Sequence, residues 1–226
     1  MIIKKTLKKN RIIQQIILLK NRWINKRTQI NLAKNGKQVL ALSVDILDSC
    51  NVNYWLDYGT LLGAIRNNDF IKGDGDIDLG IDIEEDISSV IHSFIEKGFK
   101  VYCYYHVDPD SLGRIVSLKK KGIIVDLYNY TISDSAMWCT IYEQDGCDSI
   151  EEYYSIHDTL KVYYLCYDFK IETMFYNFFD IRVKIPKNFK EYLTTIYGSD
   201  YMVEKSKWDG SLNKKNMPGL KAKIKL

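Results

Sequence analysis

Proline is scarce in this chain, with three in 226 residues, and so is histidine, also with three. So little proline argues against Pro-rich linkers, and one substantial domain with an appendage is the expected organisation. The histidines are expected at structural or surface positions rather than catalytic ones. The five cysteines, Cys50, Cys103, Cys139, Cys147 and Cys166, are odd in number and include no C-x-x-C pair, which argues against a disulfide framework. With no secretory leader in evidence, a reduced, cytoplasmic protein is expected. Long apolar runs are missing as well. In the basic N-terminal segment the longest is Ile16–Leu19, far short of a bilayer span.

Acid is absent from residues 1–44, which carry eleven Lys and Arg. Residues 203–226 carry seven Lys against Glu204 and Asp209, which leaves 14 basic and 27 acidic side chains for residues 45–202. An acidic body between basic ends repels nucleic-acid phosphate unless a metal or a local basic group intervenes, so nucleic acid is not the expected partner. In the first basic segment Ile12, Ile13, Ile16, Ile17, Leu19, Trp23 and Ile24 form one broad helical stripe. Two readings stay open: an in-plane helix on an anionic membrane, or a first helix packed on the body with its basic face solvated.

What is present is ordinary for a globular protein, 46% hydrophobic and 27% charged, with 17 tyrosines that favour a packed, strand-rich fold. Helical spacing predicts a second helix over 36–50, a short one over "TLLGAIRNN" capped by Thr60, one over "EEDISSVIHSFIEKG" stopped by Gly98, and one over "NFKEYLTTIYG". Strands are predicted at "VNYWLDY", "DIDLGID", "FKVYCYYHV", "GRIVSLKK", "GIIVDLYNY", "KVYYLCYDF" and "FDIRVKIP", with a tight turn over Lys120–Gly122. Residues 134–158 stay unassigned. The order lacks regular βαβ alternation, so the class is α+β.

The chemistry-bearing residues gather in one stretch. Asp76 and Asp78 lie two apart on a strand, so both carboxylates project from one face, suited to one or two divalent cations. Asp126 sits in an apolar strand where an unpaired acid is costly to bury. Together the three acids form a candidate Mg²⁺ site of the kind that neutralises a diphosphate. Gly59 and Thr60 supply a close-approach backbone and a helix start suited to phosphate, with Arg66 placed to assist. Asp74, among glycines, ranks as an outer ligand, and Asp57 as structural.

"YWLDYGTLLGAIRNNDFIKGDGDIDLGI", residues 54–81, closely resembles the signature of the LicD/fukutin family, phosphotransferases on a nucleotidyltransferase-like fold. "IRVKIPKNFKEYLTTIYGSDYM" is similar to that family's closing segment, so the resemblance covers roughly residues 36–210. It implies a mixed β-sheet flanked by helices, with Gly59 and Thr60 as the glycine step, Asp76 and Asp78 as the Asp-x-Asp pair and Asp126 as the third acid. It further implies Mg²⁺ or Mn²⁺, a CDP-linked donor, and transfer of a phosphocholine- or polyol-phosphate-like group to a hydroxyl of a glycan or lipid-linked glycan, releasing CMP. Rival readings are a nucleotidyltransferase that releases pyrophosphate and a non-catalytic membrane-associated module. The chain departs from many members at Lys72-Gly73-Asp74-Gly75, where they read Pro-Trp-Asp. It shows no counterpart of the zinc-binding insertion of some relatives, so Cys139 and Cys147 are expected as free thiols. The resulting division is a basic amphipathic arm, residues 1–30, and a catalytic domain, residues 31–226, ending in a basic tail. A cytoplasmic location is expected, with the arm holding the protein to the inner face of a membrane.

Overall fold

Nothing between residues 11 and 49 stops a helix except one glycine, and the backbone there is a single helix, α1 (Arg11–Ser49), 39 residues long. Residues 11–30 of the arm and the helix expected over 36–50 are therefore one element. Gly36 is retained inside it because a Cβ there would come within 2.6 Å of the Phe70 ring, which seats against the helix. A computed structural model describes residues 11–107, 113–143, 160–205 and 214–225, with side chains of α1 only from residue 26 and of the last strand only at Lys215 and Ala222. The Ile12–Ile24 stripe and Cys147 lie outside the described side chains. Among the described residues no helix is long and apolar enough to cross a membrane.

After α1 come β1 (Tyr54–Leu56), α2 (Tyr58–Asn67), β2 (Asp76–Asp82) and α3 (Ile87–Glu96). Strands β3 (Lys100–Val107), β4 (Arg114–Lys120), β5 (Ile123–Ile132), β6 (Met137–Glu143) and β7 (Leu160–Tyr167) follow. The hairpin β8 (Thr173–Phe178) and β9 (Ile181–Pro186), helix α4 (Phe189–Tyr197) and β10 (Lys214–Lys225) complete the described chain. Eight strands form one sheet in the order β1-β2-β5-β4-β3-β10-β7-β6, and β6 also pairs with β5, so the sheet curls back on itself. β2 runs parallel to β5 and the other pairings in the sheet are antiparallel. The class is α+β, a mixed sheet flanked by helices, as the sequence predicts.

Local chemistry accounts for most boundaries. Lys121 and Gly122, both at positive φ (51° and 78°), make the two-residue turn between β4 and β5. Asp86 caps α3, its Oδ1 accepting from Ser88 N and Ser89 N at 3.2 and 3.4 Å. The predicted strand "VNYWLDY" is shorter than expected, because Asp57 ends it and caps α2 through Tyr58 N–H, at 2.8 Å. Thr60 is not the cap; it is the third residue of the helix. β6 lies in the stretch left unassigned, and β8 was not predicted. Residues 214–225 of the basic tail are β10, an inner strand between β3 and β7 that absorbs Pro218 and Gly219 in an irregularity between Asn216 and Lys221.

Alternation along β2 and β5 gives the sheet two unlike faces. Ile77, Leu79 and Ile81 share one with Val125 and Leu127, and all join the core with Leu40, Val44 and Leu47 of α1. Burial of this kind stabilises by about 1.5–3 kcal/mol per large apolar side chain. The opposite face carries Asp76, Asp78 and Gly80 beside Asp126, Tyr128 and Tyr130. Gly80 must be glycine, because the indole of Trp55 lies where its Cβ would be. At the end of that face where Gly80 stands, Trp55 and Tyr130 fill the space, ring centroids 5.1 Å apart. At the other end the carboxylates remain.

Candidate active site

The parallel pairing sets Asp78 directly opposite Asp126, and Asp76 opens the same strand. The turn before β2, closed by Asp74 N–H to Ile71 O at 3.0 Å, returns Asp74 to the same place. Asp74, Asp76 and Asp78 each offer a carboxylate oxygen, all within 4.8 Å of one another. Asp74, ranked outside by sequence, thus belongs to the tightest set. Asp126 stands beside that set, its Oδ1 accepting a short hydrogen bond from Ser117 Oγ, its neighbour across β4.

Gly59 lies against this cluster: a Cβ there would overlap the Asp74 carboxylate and come within 3.5 Å of Asp78 Oδ2. Its lack of a side chain lets α2 and the acids approach. As the second residue of α2, Gly59 also carries one of the N–H groups that no helical carbonyl can reach, and Thr60 carries the next. The Thr60 hydroxyl accepts Asp78 N–H at 2.9 Å, and Asp57 N–H reaches Asp78 O at 3.0 Å, so the helix start and β2 are pinned together. A helix N-terminus of this kind favours an anion.

Arg66 is placed elsewhere. Its Nε donates to Tyr201 O at 2.6 Å and a terminal nitrogen to Val203 O at 3.2 Å, so it ties α2 to the segment after α4. That segment is 135 residues away in sequence, which is why spacing along the helix suggested a phosphate ligand instead.

The electrostatics of the cluster come from burial and like charge. Asp78 is 7% exposed and held well above the usual carboxylate range, first by desolvation and then by the charges of Asp76, Asp74 and Asp126. Asp74 is pushed up to about 8 by desolvation and by its hydrogen bond with Asp76. Asp126 is pushed up to about 7 by desolvation and the Asp76 charge, against the Ser117 hydrogen bond that lowers it. The ion pairs among the described residues lie elsewhere, as in Lys184 with Asp48 and Lys187 with Glu172. Oxygen donors crowded at this spacing, with no basic partner among the described residues, fit a hard divalent cation, and Asp74, Asp76 and Asp78 are the residues that would hold one.

Behind the cluster is a second polar group, fully enclosed. Asp57 accepts from Tyr192 OH at 2.6 Å and Tyr130 OH at 2.8 Å, while Tyr58 OH lies 3.3 Å from Tyr130 OH and 3.4 Å from Cys139 Sγ. Cys139 is a buried free thiol, as expected. The network holds Tyr58 at φ 34°, a strained value for a non-glycine residue at the entry to α2. Tyr128 lies 4.7 Å from Tyr58 ring to ring, and burial with Asp78 nearby raises the Tyr128 hydroxyl well above its usual range. Tyr128, Tyr197 and Ser117 escaped the sequence reading. Alternation from Asp126 could have found Tyr128, whereas Tyr197 is brought near the acids only by the tertiary fold, where burial and then the charges of Asp78, Asp57 and Asp74 raise its hydroxyl.

A family model described as LicD/FKTN/FKRP, nucleotidyltransferase domain, matches residues 51–188, which run from just before β1 to the residue before α4 and include Asp57, Asp74, Asp76, Asp78 and Asp126. The chain belongs to this family. The LicD-family chain is 25% identical over 176 residues to ribitol-5-phosphate transferase FKTN of Homo sapiens, an alignment covering 78% of the chain and 35% of that protein. It is 50% identical over 42 residues to ribitol 5-phosphate transferase FKRP of Homo sapiens, covering 19% of the chain and 8% of that protein. A Rickettsia prowazekii protein of unassigned function, RP689, is 35% identical over 75 residues, covering 30% of the chain and 28% of that protein. The LicD-family chain therefore spans about a third of the length of the fukutin it matches.

Proposed function

We propose that the chain is a divalent-metal-dependent phosphotransferase that moves a substituted phosphate from a CDP-linked donor to a hydroxyl of a glycan or its lipid-linked precursor. The acceptor oxygen forms a bond to the distal phosphorus, the anhydride bond breaks, and CMP leaves with the electron pair. The carrying observation is the convergence of Asp74, Asp76 and Asp78 within 4.8 Å at the open start of α2. Mg²⁺ or Mn²⁺ held there supplies the positive charge that neutralises the diphosphate. Gly59 and Thr60 present backbone N–H groups to the phosphate oxygens, and Asp57, as cap, fixes where that helix begins. Asp126, held by Ser117, completes the coordination or accepts the acceptor proton. Loss of Mn²⁺ affinity in Asp126→Asn assigns it the first role, and loss of turnover at unchanged affinity the second. The names of the FKTN and FKRP relatives favour a polyol phosphate such as ribitol phosphate over phosphocholine.

The test is a panel of CDP-linked donors with Mg²⁺, read by CMP release and by the mass of the acceptor. An acceptor gaining a substituted phosphate supports the reading; one gaining a nucleoside monophosphate, with pyrophosphate released, replaces it by nucleotidyl transfer. Residues 1–30, basic and free of acid, are proposed to hold the protein at an anionic inner membrane face. Co-sedimentation with anionic vesicles that survives deletion of residues 1–24 would contradict that attachment.

A further inference from the structure

The turn carrying Asp74 leans on α1. Gln29 Nε2 donates to Gly73 O at 2.9 Å. Thr28, one residue earlier, lies against Gly75: a Cβ at Gly75 would come within 2.7 Å of Thr28 Oγ1 and 3.0 Å of Thr28 Cβ. Both glycines are needed for this seating, for different reasons. Gly73 has φ 103°, which a side chain disfavours, and its carbonyl in that conformation meets Gln29. Gly75 has no such backbone requirement but has no room for a side chain beside α1. Between them stands Asp74, whose Oδ1 accepts Gly75 N–H at 3.0 Å and whose Oδ2 fills the space left open by Gly59. The Asp74 carboxylate is thus bounded by α2 on one side, while its backbone is set by α1 on the other.

The geometry points to Thr28 and Gln29 as positioning residues for the metal site, acting through the Gly73–Gly75 turn on Asp74. α1 is then part of the active site as well as the element that carries the basic arm. This inference rests on the reading of Asp74, Asp76 and Asp78 as metal ligands. Groups bonded directly to a metal ligand change metal affinity by about 10–100-fold when altered, and Thr28 and Gln29, which act on Asp74 through the backbone of its turn, fall below that range.

The experiment is Mn²⁺ binding to the full chain, followed by the electron paramagnetic resonance signal of free Mn²⁺, with thermal unfolding of the metal-free protein alongside. Gly75→Ala presses a methyl group onto Thr28 and is expected to weaken Mn²⁺ about tenfold. Thr28→Ala alone loosens the seat of the turn and weakens Mn²⁺ about threefold, while adding it to Gly75→Ala removes the nearer clashing atom and recovers part of the loss. Gln29→Ala, which frees the Gly73 carbonyl, weakens Mn²⁺ by about threefold without shifting the metal-free Tm, since the bond is exposed. Gly75→Ala binding Mn²⁺ like wild type, or the double variant binding as weakly as Gly75→Ala alone, overturns the positioning role. Absence of Mn²⁺ binding by the wild-type chain instead refutes the metal site itself.

Discussion

Asp57 and Asp78 touch through their backbones, N–H to carbonyl at 3.0 Å, yet their carboxylates have opposite surroundings. Asp57 is fully buried and receives Tyr130 OH, Tyr192 OH and Tyr58 N–H. Asp78 has four aspartates as its charged neighbours, Asp76, Asp74 and Asp126 and, last in effect, Asp57 itself. An acid supplied with donors is a structural element, whereas an acid supplied with like charges is unfinished without a cation. The same residue type, on either side of one helix start, divides into scaffold and chemistry by its partners alone.

The largest break in that comparison is Asp78→Asn, which removes a charge that the proposed metal site would use and the metal-free fold does not need. Turnover with a CDP-linked donor is expected to fall by about three orders of magnitude, while the metal-free Tm stays level or rises as like-charge repulsion is relieved. Asp57→Ala has the reverse signature. Losing the cap and two buried hydrogen bonds costs about 3 kcal/mol, measured by urea unfolding, because the tyrosine hydroxyls and the first turn of α2 lose their shared acceptor.

A pH series sharpens the comparison further. Asp74 at about 8 and Asp126 at about 7 bind protons more tightly in the folded chain than at their ordinary value of 3.8. The folded state thus holds more protons than the unfolded one between about pH 4 and 8, and metal-free stability falls as pH rises through that window. A bound divalent cation offsets the repulsion, so the Tm gain from Mg²⁺ should be larger at pH 8 than at pH 6, by roughly 5 °C. An equal gain at both pH values would detach the raised acids from metal binding. Smaller still is Arg66→Ala, expected to cost about 1 kcal/mol of stability with the donor KM unchanged. A raised KM at unchanged stability would return Arg66 to the phosphate role that its place on α2 suggested.

The site was legible where local rules act. Asp76 and Asp78 follow from strand alternation, Gly59-Thr60 from a strand-to-helix step, and Asp126 from the cost of an acid in an apolar strand. Asp74 was undervalued because its position depends on absent side chains at Gly59 and Gly75, which only matter once α2 and α1 are packed against it. The ties of Arg66 to Tyr201 and Val203 are not legible in the sequence, because both acceptors arrive from far along the chain. The cap was assigned to Thr60 because the apolar pattern ran on through Tyr58, hiding Asp57 inside a predicted strand. In the fold, the lysine-rich composition marks residues 203–226 as a basic tail and gives no sign of β10, whose irregularity accommodates Pro218 and Gly219 between two paired stretches.

The division between the two aspartate environments is tested most directly by Mn²⁺ titration at pH 7.5 of the wild-type chain, Asp78→Asn and Tyr192→Phe. The account predicts saturable binding by the wild type, equal affinity in Tyr192→Phe despite the loss of a hydrogen bond to Asp57, and at least about a tenfold loss in Asp78→Asn. Undiminished affinity in Asp78→Asn would contradict it.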